Sequence, residues 1–221
     1  MTLRLKLAAA VLLSGFAGAA DAATIETNAD NWAADAASVG SGGVGYTTSN
    51  GGALYDSVSS YAITGGVNVS FDSNLTLLAP LSGWGAWSNG YTGDVLNTQD
   101  PNTFAITNTL TLTFSSPVSL FGMDVSPDTT GNSLTGAVSE TFNISINGGA
   151  VQTVTGAYTY DTNPVQFIGV YGGPISSITI STTTAPDFAI GNFTSVPEPM
   201  SLALLGGSLA GLAALRRRSP R

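Results

Sequence analysis

From residue 24 to residue 195 apolar and polar positions alternate in short runs, the pattern of strands with one face in a core and one in water. The clearest run is Leu110-Thr111-Leu112-Thr113-Phe114, with three apolar side chains on one face and two threonines on the other. Ser115-Ser116-Pro117 then supplies turn-forming residues before a second apolar run over 118–125, so the spacing predicts two strands joined by a turn. Residues 141–146 alternate again, and Asn147-Gly148-Gly149 tolerates positive φ, which predicts a hairpin into 151–155. Residues 165–170 and 175–181 read as another pair around Tyr171-Gly172-Gly173-Pro174, and 188–194 as the closing strand. Nearer the N-terminus, 67–71 and 75–78 read as strands, 40–52 as a loop, and 29–37 as a short helix anchored by Trp32. Many short strands at roughly 8 to 12 residue spacing predict an all-β fold, an antiparallel β-sandwich of jelly-roll type.

Length and charge narrow the function. The chain has 221 residues, enough for one domain with appendages, and only 9% of them are charged. All six basic residues lie at the ends: Arg4, Lys6, Arg216, Arg217, Arg218 and Arg221. Of the fourteen carboxylates, Asp21 and Glu198 lie outside residues 22–197, so that segment holds twelve carboxylates, no cation, and a formal charge of −12. Nucleic-acid binding draws its affinity from Lys and Arg displacing counterions, so it is excluded, as are anionic lipid headgroups as partners of the domain. The absence of His and Cys removes His-activated nucleophiles, thiolate chemistry and ordinary zinc sites. Without Lys the domain has neither Schiff-base chemistry nor a P-loop lysine. A pair of carboxylates, or a hard metal held by oxygen ligands, is the chemistry that remains.

The ends carry addresses. Arg4 and Lys6, the apolar run 7–16 and Ala20-Asp21-Ala22 follow the order of a secretory signal peptide over 1–22, leaving an extracytoplasmic domain over 23–195. Residues 200–215 form an apolar run rich in Leu, Ala and Gly, followed at once by Arg216, Arg217 and Arg218. As a helix it is about 24 Å long, short against a hydrocarbon core of about 30 Å, a mismatch that snorkelling arginines and local thinning cover. The positive cluster orients it with the domain outside and the tail inside. Val196-Pro197-Glu198-Pro199, this transmembrane helix and the arginine cluster together resemble the PEP-CTERM sorting signal of Gram-negative bacteria, over 196–221. The resemblance implies an exosortase-type processing enzyme as partner and cleavage near Pro-Glu-Pro. It also implies only a transient stay in the inner membrane, then release to the cell surface or extracellular matrix of an exopolysaccharide-making cell.

Within the domain, residues 112–118, Phe121-Gly122-Met123-Asp124, Phe167-Ile168-Gly169-Val170, residues 174–178 and Phe188-Ala189-Ile190 are similar to a group of PEP-CTERM exoproteins with carbohydrate-binding-module sandwiches. That group usually carries an aspartate just before the Asn-Phe step of its last strand. Here Gly191 precedes Asn192-Phe193, so any ion or polar contact made by that aspartate is absent.

Three constellations bear chemistry. Trp84, Trp87 and Tyr91 lie in a glycine-broken segment with Asn89 and Asp94 beside them, and flat rings on a loop suit the apolar face of a pyranose while Asn and Asp bind hydroxyls. The same glycines equally let the segment fold back and bury both tryptophans. Calcium takes oxygen ligands, and the densest oxygen clusters are Asp100 with Asn102, and Asp124 with Asp128 and Asn132, although Asp and Asn in turns also bond their own backbone. Glycoside hydrolysis needs two carboxylates, one with a raised pKa. Glu26 and Glu140 are the glutamates of the domain, and nothing around them in sequence supplies an apolar pocket. The resulting expectation is a non-enzymatic exported protein of the surface or biofilm matrix, with exopolysaccharide binding as the alternative and no cofactor beyond a structural calcium.

Overall fold

The computed structural model describes residues 23–29, 46–47, 51–78, 93–127, 137–159 and 165–197, and there the chain is all-β. The strands are β1 (Thr24–Glu26), β2 (Tyr46–Thr47), β3 (Ser57–Ile63), β4 (Val67–Leu78), β5 (Val95–Asn97), β6 (Thr109–Pro127), β7 (Ala137–Ile146), β8 (Val151–Thr159), β9 (Gln166–Thr182) and β10 (Phe188–Pro197). Every pairing between them is antiparallel.

The centre is a ribbon of β6 and β9, paired from Thr109↔Ser181 to Val125↔Gln166. Two predicted turns fall inside it and are not turns. Ser115-Ser116-Pro117 bulges from β6 between Thr113↔Ser177 and Val118↔Ile175, and Gly172-Gly173-Pro174 bulges from β9 between Val118↔Ile175 and Leu120↔Tyr171, so the two irregularities flank a single pair. Residues that suit a reversal also suit a bulge. Pro117 has no N–H to lose from the ladder, and Gly172 and Gly173 take φ of 99° and 145°, which side-chain-bearing residues avoid. Both strands are disrupted together, so the ribbon bends and continues, and residues 165–170 and 175–181 pair with β6 rather than with each other.

The bend exchanges neighbours. Before it β6 pairs with β4, from Val69↔Phe114 to Phe71↔Leu112; after it β6 pairs with β10, up to Phe188↔Pro127. The far half of β4 pairs with β5, and β5 with β10, so the path β6–β4–β5–β10–β6 closes on itself. Inside it, Phe121 packs against Phe114 (ring centroids 4.9 Å apart) and Phe193 (6.3 Å), and Phe193 against Tyr61 (5.3 Å). The alternating apolar faces read from sequence supply this core: Leu110, Leu112, Phe142, Ile144, Ile178 and Ile180 are all fully buried.

Other departures are local. The two runs 67–71 and 75–78 are one strand, β4, and Tyr46–Thr47, inside the predicted loop, pairs with Phe193 and Thr194. Of the predicted helix 29–37, all but Ala29 lies outside the described residues, Trp32 included. Strand β10 runs to Pro197, two residues past the predicted boundary at 195: Val196 pairs with Leu120, Pro197 with Val118, and Ser119 Oγ donates to Val196 O at 3.2 Å.

The hairpin β7–β8 forms as predicted. Asn147 and Gly148 take φ of 52° and 69°, and Gly149 N–H donates to Ile146 O at 2.9 Å. Asn147 also clamps the bent stretch of β9: its Nδ2 donates to Pro174 O at 2.7 Å, and its Oδ1 accepts from Ser176 N–H (2.8 Å) and Ser177 N–H (3.1 Å). Asn147→Ala removes all three bonds and leaves an alanine at positive φ, with an expected loss of about 2 kcal/mol in urea unfolding. Asn147→Gly relieves the backbone and loses only the clamp, so it falls between the two; an alanine variant as stable as the parent would show that the clamp contributes nothing.

Candidate functional site

The segment bearing Trp84, Trp87, Asn89 and Tyr91 connects β4 to β5, and these four residues lie outside the described ones. Its flanks are described. Leu78 pairs with Val95, so the connection leaves and rejoins the sheet at one place, and Asp94 stands at the return. The Asp94 carboxylate accepts the Tyr61 O–H at 3.0 Å through Oδ2. Because the Tyr61 ring is buried against Phe193, a core residue sets the position of this half-buried carboxylate.

Asp94 lines a groove of about 310 Å³ together with Asp56, Ser57, Ser59, Ser60 and Leu77. Asp56 closes a short turn: its Oδ2 accepts Ala53 N–H at 2.7 Å, and its own N–H donates to Ala53 O at 3.0 Å. The turn is bound to β4 by Tyr55 N–H to Leu77 O (2.7 Å) and Leu77 N–H to Asp56 O (2.9 Å). These bonds hold Tyr55 at φ 70°, a conformation few tyrosines adopt, and leave its side chain 59% exposed next to Asp56 in the chain. Two carboxylates, a row of serine hydroxyls and an exposed aromatic ring are the groups that recognise a neutral sugar.

A second groove, of about 390 Å³, is lined by Asp72, Asn74, Asp100 and Thr107 among others, and Phe104 beside it is 74% exposed at φ 57°. Asp100 Oδ1 accepts Asn102 N–H at 2.8 Å, and its Oδ2 accepts Asn74 Nδ2–H at 3.4 Å. The Asn102 bond, with lesser help from Asn74 and Thr103, holds this carboxyl below its ordinary value. Asp100 and Asn102 thus form a turn.

Asp124, the calcium candidate, is 3% exposed on β6, and its Oδ2 accepts Asn192 Nδ2–H at 2.9 Å. Asn192 takes φ 55°, and Gly191, the residue before it, is the β10 partner of Asp124. Asp128 and Asn132 lie outside the described residues, and among the described residues no three acidic side chains converge as a metal shell. Glu26 bonds its own neighbours, accepting from Thr27 N–H (2.9 Å) and Asn28 N–H (2.7 Å). Glu140, 1% exposed, is fully engaged: Oε1 accepts from Thr141 N–H, Thr183 N–H, Thr183 Oγ1–H and Thr184 N–H, and Oε2 from Ala185 N–H, all at 2.7 to 3.0 Å. Burial pushes this carboxyl up, but the donors from Thr184, Thr183 and Ala185 outweigh it and hold it below its ordinary value.

Of the sorting residues, Val196 and Pro197 close β10, while Glu198, Pro199, Arg216, Arg217 and Arg218 lie outside the described residues, as do 1–22 and 200–215. Tyr55, Asp56, Tyr61 and Phe104 are not found from sequence; the short turns at 53–56, closed by Asp56, and 100–104, opened by Asp100, were the available signal. The site defines an all-β domain with open grooves of hydroxyls and carboxylates. No protein-family model matches the chain, and no curated protein matches it.

Proposed function

We propose that this chain is a non-enzymatic exported protein of the cell surface or biofilm matrix, a jelly-roll sandwich delivered by a signal peptide over 1–22. On this reading an exosortase-type enzyme processes it at 196–221 after transient anchoring through 200–215. The observation that carries the reading is the order of Pro-Glu-Pro, apolar run and arginine cluster, whose first proline, Pro197, is also the final residue of β10. Two prolines around Glu198 disfavour helix there, which suits a segment that a processing enzyme must grip. Intact-mass measurement on protein recovered from its native host is expected to find a species lacking 200–221. A mature chain that keeps those residues would falsify the processing.

A second reading has the domain bind exopolysaccharide, and the Asp94 groove favours it, since the aromatic connection 79–92 returns to the sheet at its wall. Cosedimentation of residues 23–197 with the host's exopolysaccharide is expected to show binding that Asp94→Ala and Asp56→Ala each weaken about tenfold, the worth of one hydrogen bond to a charged group. Trp84→Ala with Trp87→Ala should abolish it without altering the fold. Full binding by the two aspartate variants would remove the groove from the account. A glycoside-active enzyme is the weaker reading, because Glu140 is spent on the backbone of 183–185. Unchanged polysaccharide chain length after prolonged incubation is the expected result.

A further inference from the structure

Strand β8 ends the sheet, and among the described residues β7 is its only partner strand. An end strand presents a row of backbone N–H and C=O groups ready to pair with another strand, and folded proteins guard such rows with Lys, Pro, bulges or shortness. None of these guards is present in β8. It is nine residues long, Val-Gln-Thr-Val-Thr-Gly-Ala-Tyr-Thr, without charge or proline, and its ladder with β7 runs unbroken from Ala137↔Thr159 to Ser145↔Val151. Val151, Thr153, Thr155 and Ala157 are exposed, Val151 by 62%. The other ends differ: β1 and β2 have three and two residues, and the ladder of β3 with β4 is interrupted between Val58 and Ser60.

Charge selects the occupant. Residues 22–197 hold twelve carboxylates and no cation, so two copies repel across most orientations. The hairpin of β7 and β8 presents no exposed carboxylate: the one it holds, Glu140, is buried under five donors. A second copy can therefore approach along this hairpin without meeting an exposed carboxylate on it, bringing a strand that is its own complement when turned about a twofold axis.

We infer that this protein self-associates through β8, two copies pairing antiparallel about Thr155 so that Thr153 faces Ala157 of the partner subunit and the two sheets become one. This goes beyond the proposed function and does not depend on it. An interface built on one strand pair lies at the small end of the specific range, so the dimer forms at micromolar concentrations or above.

The test is sedimentation equilibrium of the full chain in a mild non-ionic detergent, which keeps its apolar end segments apart, over a wide concentration range. Thr153→Glu with Ala157→Glu sets carboxylates opposite one another across the twofold axis and is expected to weaken dimerisation at least 100-fold. Thr103→Glu with Ser116→Glu adds the same charge at exposed positions outside the β7–β8 hairpin, and is expected to leave dimerisation within about threefold of the parent. Urea unfolding of both variants establishes that each is folded. A parent that stays monomeric throughout, a dimer that both double variants weaken equally, or one that neither weakens overturns the inference. Protection of β8 amides from hydrogen exchange only on adding an unrelated extended peptide would assign the edge to another chain, and would overturn it too.

Discussion

Replacing Glu140 by Gln is expected to lower the unfolding free energy by roughly 3 kcal/mol at neutral pH, although the side chain keeps its size. The carboxylate supplies two oxygens to five donors and draws the backbone of Thr183, Thr184 and Ala185 onto the start of β7. Glutamine has one oxygen, and its NH₂ meets either the Ala185 N–H or the donors around Oε1, donor against donor. The same bonds set an acid limit. The Glu140 carboxyl lies below its ordinary value of 4.5 in the folded protein, so its stabilisation is complete above that value. It disappears as pH falls from about 4.5 through the lower folded-state value. Urea unfolding at pH 7 and pH 3 checks both statements: the gap between parent and variant narrows at pH 3, and a variant equal to the parent at pH 7 would show that the loop is held by other contacts.

Phe121→Ala is expected to cost about 4 kcal/mol, a fall in midpoint temperature of roughly 10 °C for a domain of this size. Phe121 is fully buried just after the bend of β6, with Phe114 and Phe193 on its ring and Tyr61 next in the row. The cavity opens against Phe193, on which the Tyr61 ring packs, and the Tyr61 phenol bonds Asp94, so the groove should loosen along with the core. Tyr61→Phe separates the two effects, deleting the Asp94 bond for about 1 kcal/mol while the ring stays in place. Calorimetry and polysaccharide binding on the two variants distinguish core damage from loss of the carboxylate's anchor.

The strands with strict alternation, 110–114 and 141–146, are legible in the chain because each has a core on one side and water on the other. What local pattern does not reveal is the partner. Ser115-Ser116-Pro117 and Tyr171-Gly172-Gly173-Pro174 each look like reversals, and only the β6–β9 pairing, which sets their bulges on either side of Val118↔Ile175, makes them one bend. Strands β1, β2 and β5 are too short to show a period, and β3 has buried apolar residues only at its end, Tyr61 and Ile63. The candidate site divides the same way. Asp94 is visible beside the tryptophans, but the Tyr61 that fixes it comes from another strand, and Glu140 gives no sign in its neighbours of the loop it holds.

The ribbon of β6 and β9 also bears on when the chain can fold. Its two strands are separated by the whole β7–β8 hairpin, so pairing them requires a long loop to close before the contacts reward it, the condition for slow folding. Strand β10, which closes the path through β5 and β4, comes later still. A chain emerging from its N-terminus therefore has no finished core until Pro197 has appeared, and it stays threadable for nearly its full length. On the proposed export route, that delay would keep the chain passable through a translocation pore until almost all of it had crossed.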